Sequence, residues 1–355
     1  MNNQGKGEVV FEDPSMTLAT WKQFIQDQID EHGYDAVMKT EVKFNPGRVY
    51  TVDIIMEAKD EVKKLSPQER FLYWIEERCK IYKKKEKGLP APWTDDPILQ
   101  SNFFTNPYRE RDRVSKWFRE NIREPMRDMD EVLFATVAFR WFNKPDPTGL
   151  LFLKHELHLK WKPKLATRVI KKANQDGPVF TGAFMIKAGN GPKGCKVPNV
   201  CDSITNIWKA RKRLVQVCKD DCRLEALHAE LKQFPHLGGF MSYEVVCDLR
   251  YTALLEDATD INTWSNLGPG AARGILRING GKIKIPRTGM KDARPKPPED
   301  WLDQFVKLKR LVNKKFKGKL PRFELREVEH SLCEYDKYER ILFGEGRSKR
   351  KYNGT

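Results

Sequence analysis

Three stretches of this chain combine residue types and spacings that can do chemistry. The first is Phe234-Pro235-His236-Leu237-Gly238-Gly239-Phe240-Met241-Ser242-Tyr243-Glu244-Val245, which reads as a helix, a tight glycine hairpin and a second helix. A turn of that kind aims backbone N–H groups outward, where they can hold a phosphate without a side chain. Leu237, Gly238, Gly239 and Ser242 are therefore candidate DNA contacts. The segment after it, Asp257 to Trp264, delivers a carboxylate at Asp260 with Asn262 and Trp264 beside it. Trp264 either stacks on a base or packs as a buried aromatic. The second stretch carries Arg109, Glu110, Asp112 and Arg113. The two arginines, one helical turn apart, can clamp a phosphate, or the cluster can be a solvated salt-bridged face. The third is Glu329 to Arg340, with Glu329, Cys333, Asp336, Lys337 and Arg340 along one helical face and His330, Glu334 and Lys337 on an overlapping one. Histidine beside carboxylates suits a proton relay, or the helix is simply a charged surface one; the spacing fits no metal motif and none is expected.

Composition narrows the partner. The 355 residues carry 65 Lys and Arg against 49 Asp and Glu, a net charge of +16. A chain this basic suits a polyanion, and 11% aromatic content supplies rings for stacking. No apolar run approaches the ~18 residues of a membrane span, and the N-terminal stretch is polar, which points away from a membrane and towards the cytoplasm. Seven cysteines without a CxxC pair read as reduced structural thiols.

The elements that must position these groups are mainly helices. Thr17–His32 repeats apolar residues at helical spacing, and Val49–Ile55 alternates as a short strand. Ser66, Pro67 and Glu69 announce a helix with a capping box, whose face carries Phe71, Ile75, Arg78 and Tyr82 with Leu72 and Cys79 beside it. A helix is expected around Tyr108–Glu120. Glu131–Asn143 is apolar nearly all round and should be central and buried. Further helices are expected at Ile204–Cys218, Leu224–Gln233, Trp301–Phe316 and Glu324–Phe343. Gly189-Asn190-Gly191-Pro192-Lys193-Gly194-Cys195-Lys196 mimics a phosphate loop but lacks the Gly-Lys-Ser/Thr ending, so it reads as a plain loop. No cofactor is implied. The organisation expected is an unassigned segment 1–60, a helical domain 61–345 with the hairpin part at about 200–280, and a basic tail 346–355.

The hairpin and the carboxylate after it resemble the helix-hairpin-helix DNA glycosylases, giving an expected fold class of mainly α with small extended elements. In such enzymes an aspartate at the place of Asp260 faces a flipped-out base and stabilises cationic character or activates a nucleophile. The alternative is that Asp260 caps a helix beginning at Ile261, and both can hold at once. His236 stands where those enzymes have the first hairpin glycine, and Ser242 where many carry a catalytic lysine, so lysine-type lyase chemistry is disfavoured.

A longer resemblance covers roughly residues 65–350. Trp93-Thr94-Asp95-Asp96-Pro97-Ile98-Leu99-Gln100, Tyr108-Arg109-Glu110-Arg111-Asp112-Arg113-Val114, Asp260-Ile261-Asn262-Thr263-Trp264, Gly268-Pro269-Gly270-Ala271-Ala272-Arg273-Gly274 and the Glu329–Arg340 block are similar to the bacteriophage α-glutamyl/putrescinyl thymine pyrophosphorylases, or amino acid:DNA transferases. The resemblance implies thymidine hypermodification in the host cytoplasm, which protects viral DNA from restriction. An amino acid or polyamine (glycine, serine, glutamate or putrescine) would displace phosphate or pyrophosphate from 5-phosphomethyl- or 5-pyrophosphorylmethyl-deoxyuridine in double-stranded DNA. On this reading Asp260 deprotonates the nucleophile or stabilises the cationic carbon, and Arg109 and Arg113 hold the leaving phosphate. Glu329, His330, Glu334 and Lys337 form the amino-acid pocket, while Asn262, Trp264 and Arg273 contact substrate. Three rivals stand beside it: a glycosylase, a non-catalytic DNA-binding module, and the helical partner domain of the hydroxymethyluracil DNA kinase, which shares related blocks. The missing Gly-Lys-Ser/Thr loop argues against the kinase itself.

Overall fold

Helix α1, Pro67–Glu86, starts where the sequence says it should. The Ser66 hydroxyl accepts from the Glu69 amide at 3.3 Å and the Glu69 carboxylate accepts from the Ser66 amide at 2.8 Å, closing the capping box. Its buried face centres on Phe71, Trp74, Ile75 and Cys79 rather than on Arg78 and Tyr82. In the computed structural model, residues 41–44, 48–51, 61–183, 185–186, 195–280 and 296–345 are described. The expected helix at 17–32, the glycine-rich loop at 189–194 and the tail from 346 fall outside them, as does most of the linker after Pro286.

Every regular element among the described residues is helical except one antiparallel hairpin. There Glu41–Phe44 (β1) pairs with Arg48–Thr51 (β2), Glu41 opposite Thr51 and Phe44 opposite Arg48. After α1 come α2 (Pro97–Ser101), a 3-10 turn at Arg109–Arg111, α3 (Arg113–Phe118) and α4 (Met129–Phe142). Then follow α5 (Leu150–Lys154), α6 (Pro163–Asp176), α7 (Lys196–Asp220), α8 (Leu224–Leu231) and α9 (Gly238–Leu249). The last three are α10 (Pro269–Ile278), α11 (Trp301–Lys315) and α12 (Leu325–Leu342). No helix among the described residues is long and apolar enough to cross a membrane.

The chain divides into two units. One comprises Met1–Pro107, Arg273–Pro295 and Leu332–Thr355; the other comprises Tyr108–Ala272 and Lys296–Ser331. In the second unit α4 is the central helix, every residue from Val132 to Phe142 being buried, as its all-round apolar character requires. It packs against α7 and α9, and α8 packs against α9. Each fully buried large side chain here contributes about 1.5–3 kcal/mol of transfer free energy. Arg140 is the charged exception in that buried run, and it pairs inside the core with Asp248 of α9.

The first unit is built around α1 and the C-terminal part of α12. Phe71 meets Tyr335 edge-on at 5.3 Å, and Arg70 binds Glu339 at 2.6 Å. Asp336, fully buried, accepts from Arg273 at 2.8 Å and Arg277 at 2.9 Å. Gly274 lets α10 approach α12: a Cβ there would stand 2.3 Å from the Leu332 carbonyl oxygen. Gly274→Ala should therefore destabilise the protein by about 1–3 kcal/mol, the range for forced overpacking. Urea denaturation checks this, with a lower midpoint expected at unchanged slope; a wild-type midpoint would mean that the two helices part without cost.

Candidate functional site

The second unit gathers a set of polar groups around the first turns of α9. The sharp turn before that helix holds His236 at φ 69° and Gly238 at φ 51°. Gly238 is exposed and Gly239 half-buried, but Leu237 and Ser242 are buried. Only the glycine end of the hairpin is therefore open to a ligand; the Ser242 side chain is not. Gly239 stands beside Asn266, whose Oδ1 would be 3.5 Å from an added Cβ. The Gly239 carbonyl accepts from His228 Nε2 at 2.9 Å. Burial pushes the His228 imidazole down, so it sits neutral as a donor.

Around this turn lies an aromatic wall. Trp264, half-buried, has its ring 5.1 Å from His228 and 5.8 Å from Tyr243. The Tyr243 hydroxyl and Ser265 Oγ share a 2.8 Å hydrogen bond. Burial, with the nearby Cys247 and Glu329, drives the Tyr243 phenol well above its usual range, so it keeps its proton.

Glu329 is the reactive candidate. It lies on α12 and accepts from the Gly268 amide at 3.2 Å. A Cβ at Gly268 would stand 2.8 Å from Glu329 Oε1, so a larger residue there would displace the carboxylate from this position. Glu329 is half-buried as a residue, and the burial of its carboxyl raises the pKa to about 7; the Gly268 amide and the charge of Arg109 only partly offset that. A carboxyl at this value can give or take a proton near neutrality.

Arg109 is committed elsewhere. Both its terminal nitrogens donate to the Glu244 carboxylate of α9. Arg113 is exposed at the start of α3. The expected two-arginine phosphate clamp is thus not assembled: one member is engaged in an internal ion pair.

Asp260 also has an occupied carboxylate. It accepts from the amides of Leu224 at 2.8 Å and Glu225 at 2.9 Å, and so caps α8. The capping alternative holds, but for a helix 36 residues earlier rather than one starting at Ile261. Asn262 is exposed and accepts from Lys309 at 2.8 Å. His330 is half-buried. Arg273, Glu334 and Lys337 belong to the first unit. There Arg273 holds Asp336, and Glu334 accepts from the Thr105 amide at 3.0 Å and from Lys337 at 2.6 Å. Reading the sequence missed His228, Tyr243, Glu244 and Ser265 as companions of the site. Tyr243 and Glu244 stood within the quoted hairpin segment, but nothing local marks which way they face.

A family profile described as 5-hmdU DNA kinase, helical domain, matches residues 67–348. The chain belongs to that family. The 5-hmdU DNA kinase of Bacillus phage SP10 is 26% identical over 227 residues, covering 58% of this chain and 35% of that protein. The chain thus matches about a third of the length of that curated relative. No solved structure matches, so a likeness to helix-hairpin-helix glycosylases is not shown; the helical class is. The family corrects the resemblance to the α-glutamyl/putrescinyl thymine pyrophosphorylases. With it go the amino acid:DNA transferase activity, the amino acid or polyamine cosubstrate and the pocket drawn for it from Glu329, His330, Glu334 and Lys337. The physical reason is that the shared blocks serve the fold in this 5-hmdU DNA kinase helical domain. Asp96 caps α2, Arg109 holds Glu244, Arg273 holds Asp336, and Asp260 caps α8.

Two outcomes follow from this geometry. Asp260→Ala should cost about 0.5–2 kcal/mol through loss of a cap, whereas Asp260→Asn, with one acceptor oxygen for the two amides, should recover only part of it; thermal melting of the two variants checks this. For Glu329 the folded pKa is raised, so the folded state holds its proton more tightly than the unfolded chain. Its contribution to stability is full below the ordinary glutamate pKa and is lost as pH rises through about 7. Glu329→Gln should therefore flatten the decline in stability over that window, measured as denaturation midpoints against pH.

Proposed function

We propose that this chain recognises 5-hydroxymethyldeoxyuridine in duplex DNA and serves the phosphorylation of its hydroxyl, a step of phage thymidine hypermodification. The observation that carries the reading is the family match over residues 67–348, which spans the whole Glu329 site. The SP10 relative, a 5-hmdU DNA kinase, supports the same substrate.

In that reaction the 5-hydroxymethyl oxygen attacks the terminal phosphorus of a nucleoside triphosphate. An O–P bond forms, the bond to the nucleoside diphosphate breaks, and the hydroxyl proton passes to a base. We assign Glu329 that proton: it is partly open, and its pKa of about 7 suits acceptance near neutral pH. The target base must leave the helical stack to reach it. Trp264 offers an aromatic face for the extruded ring, and the exposed turn at Gly238 offers backbone amides to the strand. The sequence contains no Gly-Lys-Ser/Thr phosphate loop, so we assign the donor nucleotide to a site outside residues 67–348. The same absence favours a second reading, a DNA-binding accessory without chemistry of its own.

The test compares duplexes carrying one 5-hydroxymethyldeoxyuridine or thymidine. Tighter binding of the modified duplex is expected. With ATP and a phosphate-loop kinase partner present, digestion and mass spectrometry should reveal 5-phosphomethyldeoxyuridine. Glu329→Gln should lower its formation roughly 10²- to 10⁴-fold with DNA affinity intact, and the wild-type rate should rise with pH through about 7. Product formed by Glu329→Gln at the wild-type rate would leave the accessory reading; equal affinity for both duplexes and no product would overturn the proposal.

A further inference from the structure

Arginines inside the second unit face carboxylates: Arg123 with Glu110, Arg140 with Asp248, Arg250 with Glu324 and Arg326 with Glu327. The surface of α11 and the turn after it is arranged differently. Lys307, Arg310, Lys314, Lys315, Lys317 and Arg322 are all exposed, and among the described residues none of them forms an ion pair with a carboxylate. Lys314 and Lys315 have a structural explanation, since cations are favoured in the last turn of a helix. Lys307 and Arg310, further up the helix, and Arg322 beyond it do not.

The spacing is that of a row. Lys307, Arg310 and Lys314 recur at i, i+3 and i+7 on one face, about 4.5 to 6 Å apart along the helix axis. Half-buried Lys309 senses the positive charge here: its ammonium is pushed below its usual range by burial and by the charges of Arg310 and Arg322, which Glu324 only partly opposes. Holding like charges together is unfavourable without an anion to offset them. Lys309, on another side of the helix, donates to Asn262, two residues from Trp264, so α11 is tied to the segment that carries Trp264.

We propose that the exposed face of α11, continued to Arg322, is the docking surface for the sugar-phosphate backbone of duplex DNA. The row grips phosphates without reading sequence, and the Lys309–Asn262 bond sets where the Trp264 segment stands relative to the gripped strand. The proposal rests on the reading above only in taking DNA as the ligand; it does not depend on which base is recognised.

The full chain is tested by fluorescence anisotropy against thymidine and 5-hydroxymethyldeoxyuridine duplexes over a range of salt concentrations. One triple variant is Lys307→Gln/Arg310→Gln/Lys314→Gln. A control of equal charge change is Lys164→Gln/Arg168→Gln/Lys171→Gln on α6, a row equally exposed and equally without ion pairs among the described residues, but without the hydrogen bond to Asn262 that α11 makes. The α11 variant should weaken binding to both duplexes alike and make the plot of log affinity against log salt shallower by up to about 3, at roughly 0.9 per phosphate contact. The control should shift it little, and the ratio between duplexes should not change. An unaltered slope in the α11 variant, equal losses in both variants, or no wild-type binding to any duplex would overturn the docking surface. Equal wild-type affinity for the two duplexes, with the slope change intact, would overturn base recognition and leave the docking surface standing.

Discussion

The groups of the site are placed by one polar face of α9 that runs through the core of the second unit. Glu244 and Asp248, four residues apart, hold Arg109 and Arg140, and Asp248 also offers its carbonyl to Arg123 at 3.3 Å. Arg140 and Asp248 are each only 1% exposed. Although burial pushes its carboxyl up, the Arg140 guanidinium holds Asp248 below the usual carboxylate range. Such a pair adds little net stability compared with a well-packed apolar one, yet losing one partner leaves a buried charge at a cost of about 3–5 kcal/mol. The network therefore fixes α9 against α4 by the penalty for any other arrangement. Tyr243, Gly239 and the glycine turn take their positions from that helix.

The same charge balance explains Glu329. Four guanidiniums, of Arg109, Arg123, Arg140 and Arg326, are matched by Glu244, Glu110, Asp248 and Glu327. This matching leaves Glu329 and Asp260 without a cation, but Asp260 is held by the two amides at the start of α8. The one direct partner of Glu329 is the neutral Gly268 amide, and Arg109, the nearest relevant cation, is already engaged. A desolvated carboxyl without a cation of its own holds its proton to higher pH; burial pushes Glu327 up as well, but there the Arg326 guanidinium opposes the shift.

What was legible in the sequence depended on how local the physics is. The capping box of α1 and the all-apolar run of α4 were readable because each needs only neighbours in the chain. Burial on every side makes the face of α4 irrelevant. For α1 the helix was right but its buried face was displaced, since Trp74 is drawn in by Phe104 from outside the helix. Asp260 illustrates the limit best. Its residue type suited both a cap and catalysis, and the helix it caps begins far back in the chain, where no spacing rule looks. Glu329 was legible as a candidate but its environment was not, because Gly268 comes from 61 residues away.

The misassigned reaction has the same origin. The blocks that carried the resemblance are dense in Asp, Arg and Gly, which are also the residues that cap helices, neutralise one another in a core and permit close helix approach. Asp96, Arg273 and Gly274 do these things here. A scaffold of this kind can be kept while the chemistry performed on it changes, so its motifs report ancestry more reliably than reaction. The information about reaction resides in what the scaffold leaves unsatisfied. Inside the second unit that is Glu329, a desolvated carboxyl with neither a cation nor a helix start to hold its charge, and on the surface of that unit there are cations without carboxylates. A core whose arginines are matched by carboxylates, beneath a surface with unpaired positive charge, is the arrangement expected of a protein that meets a polyanion.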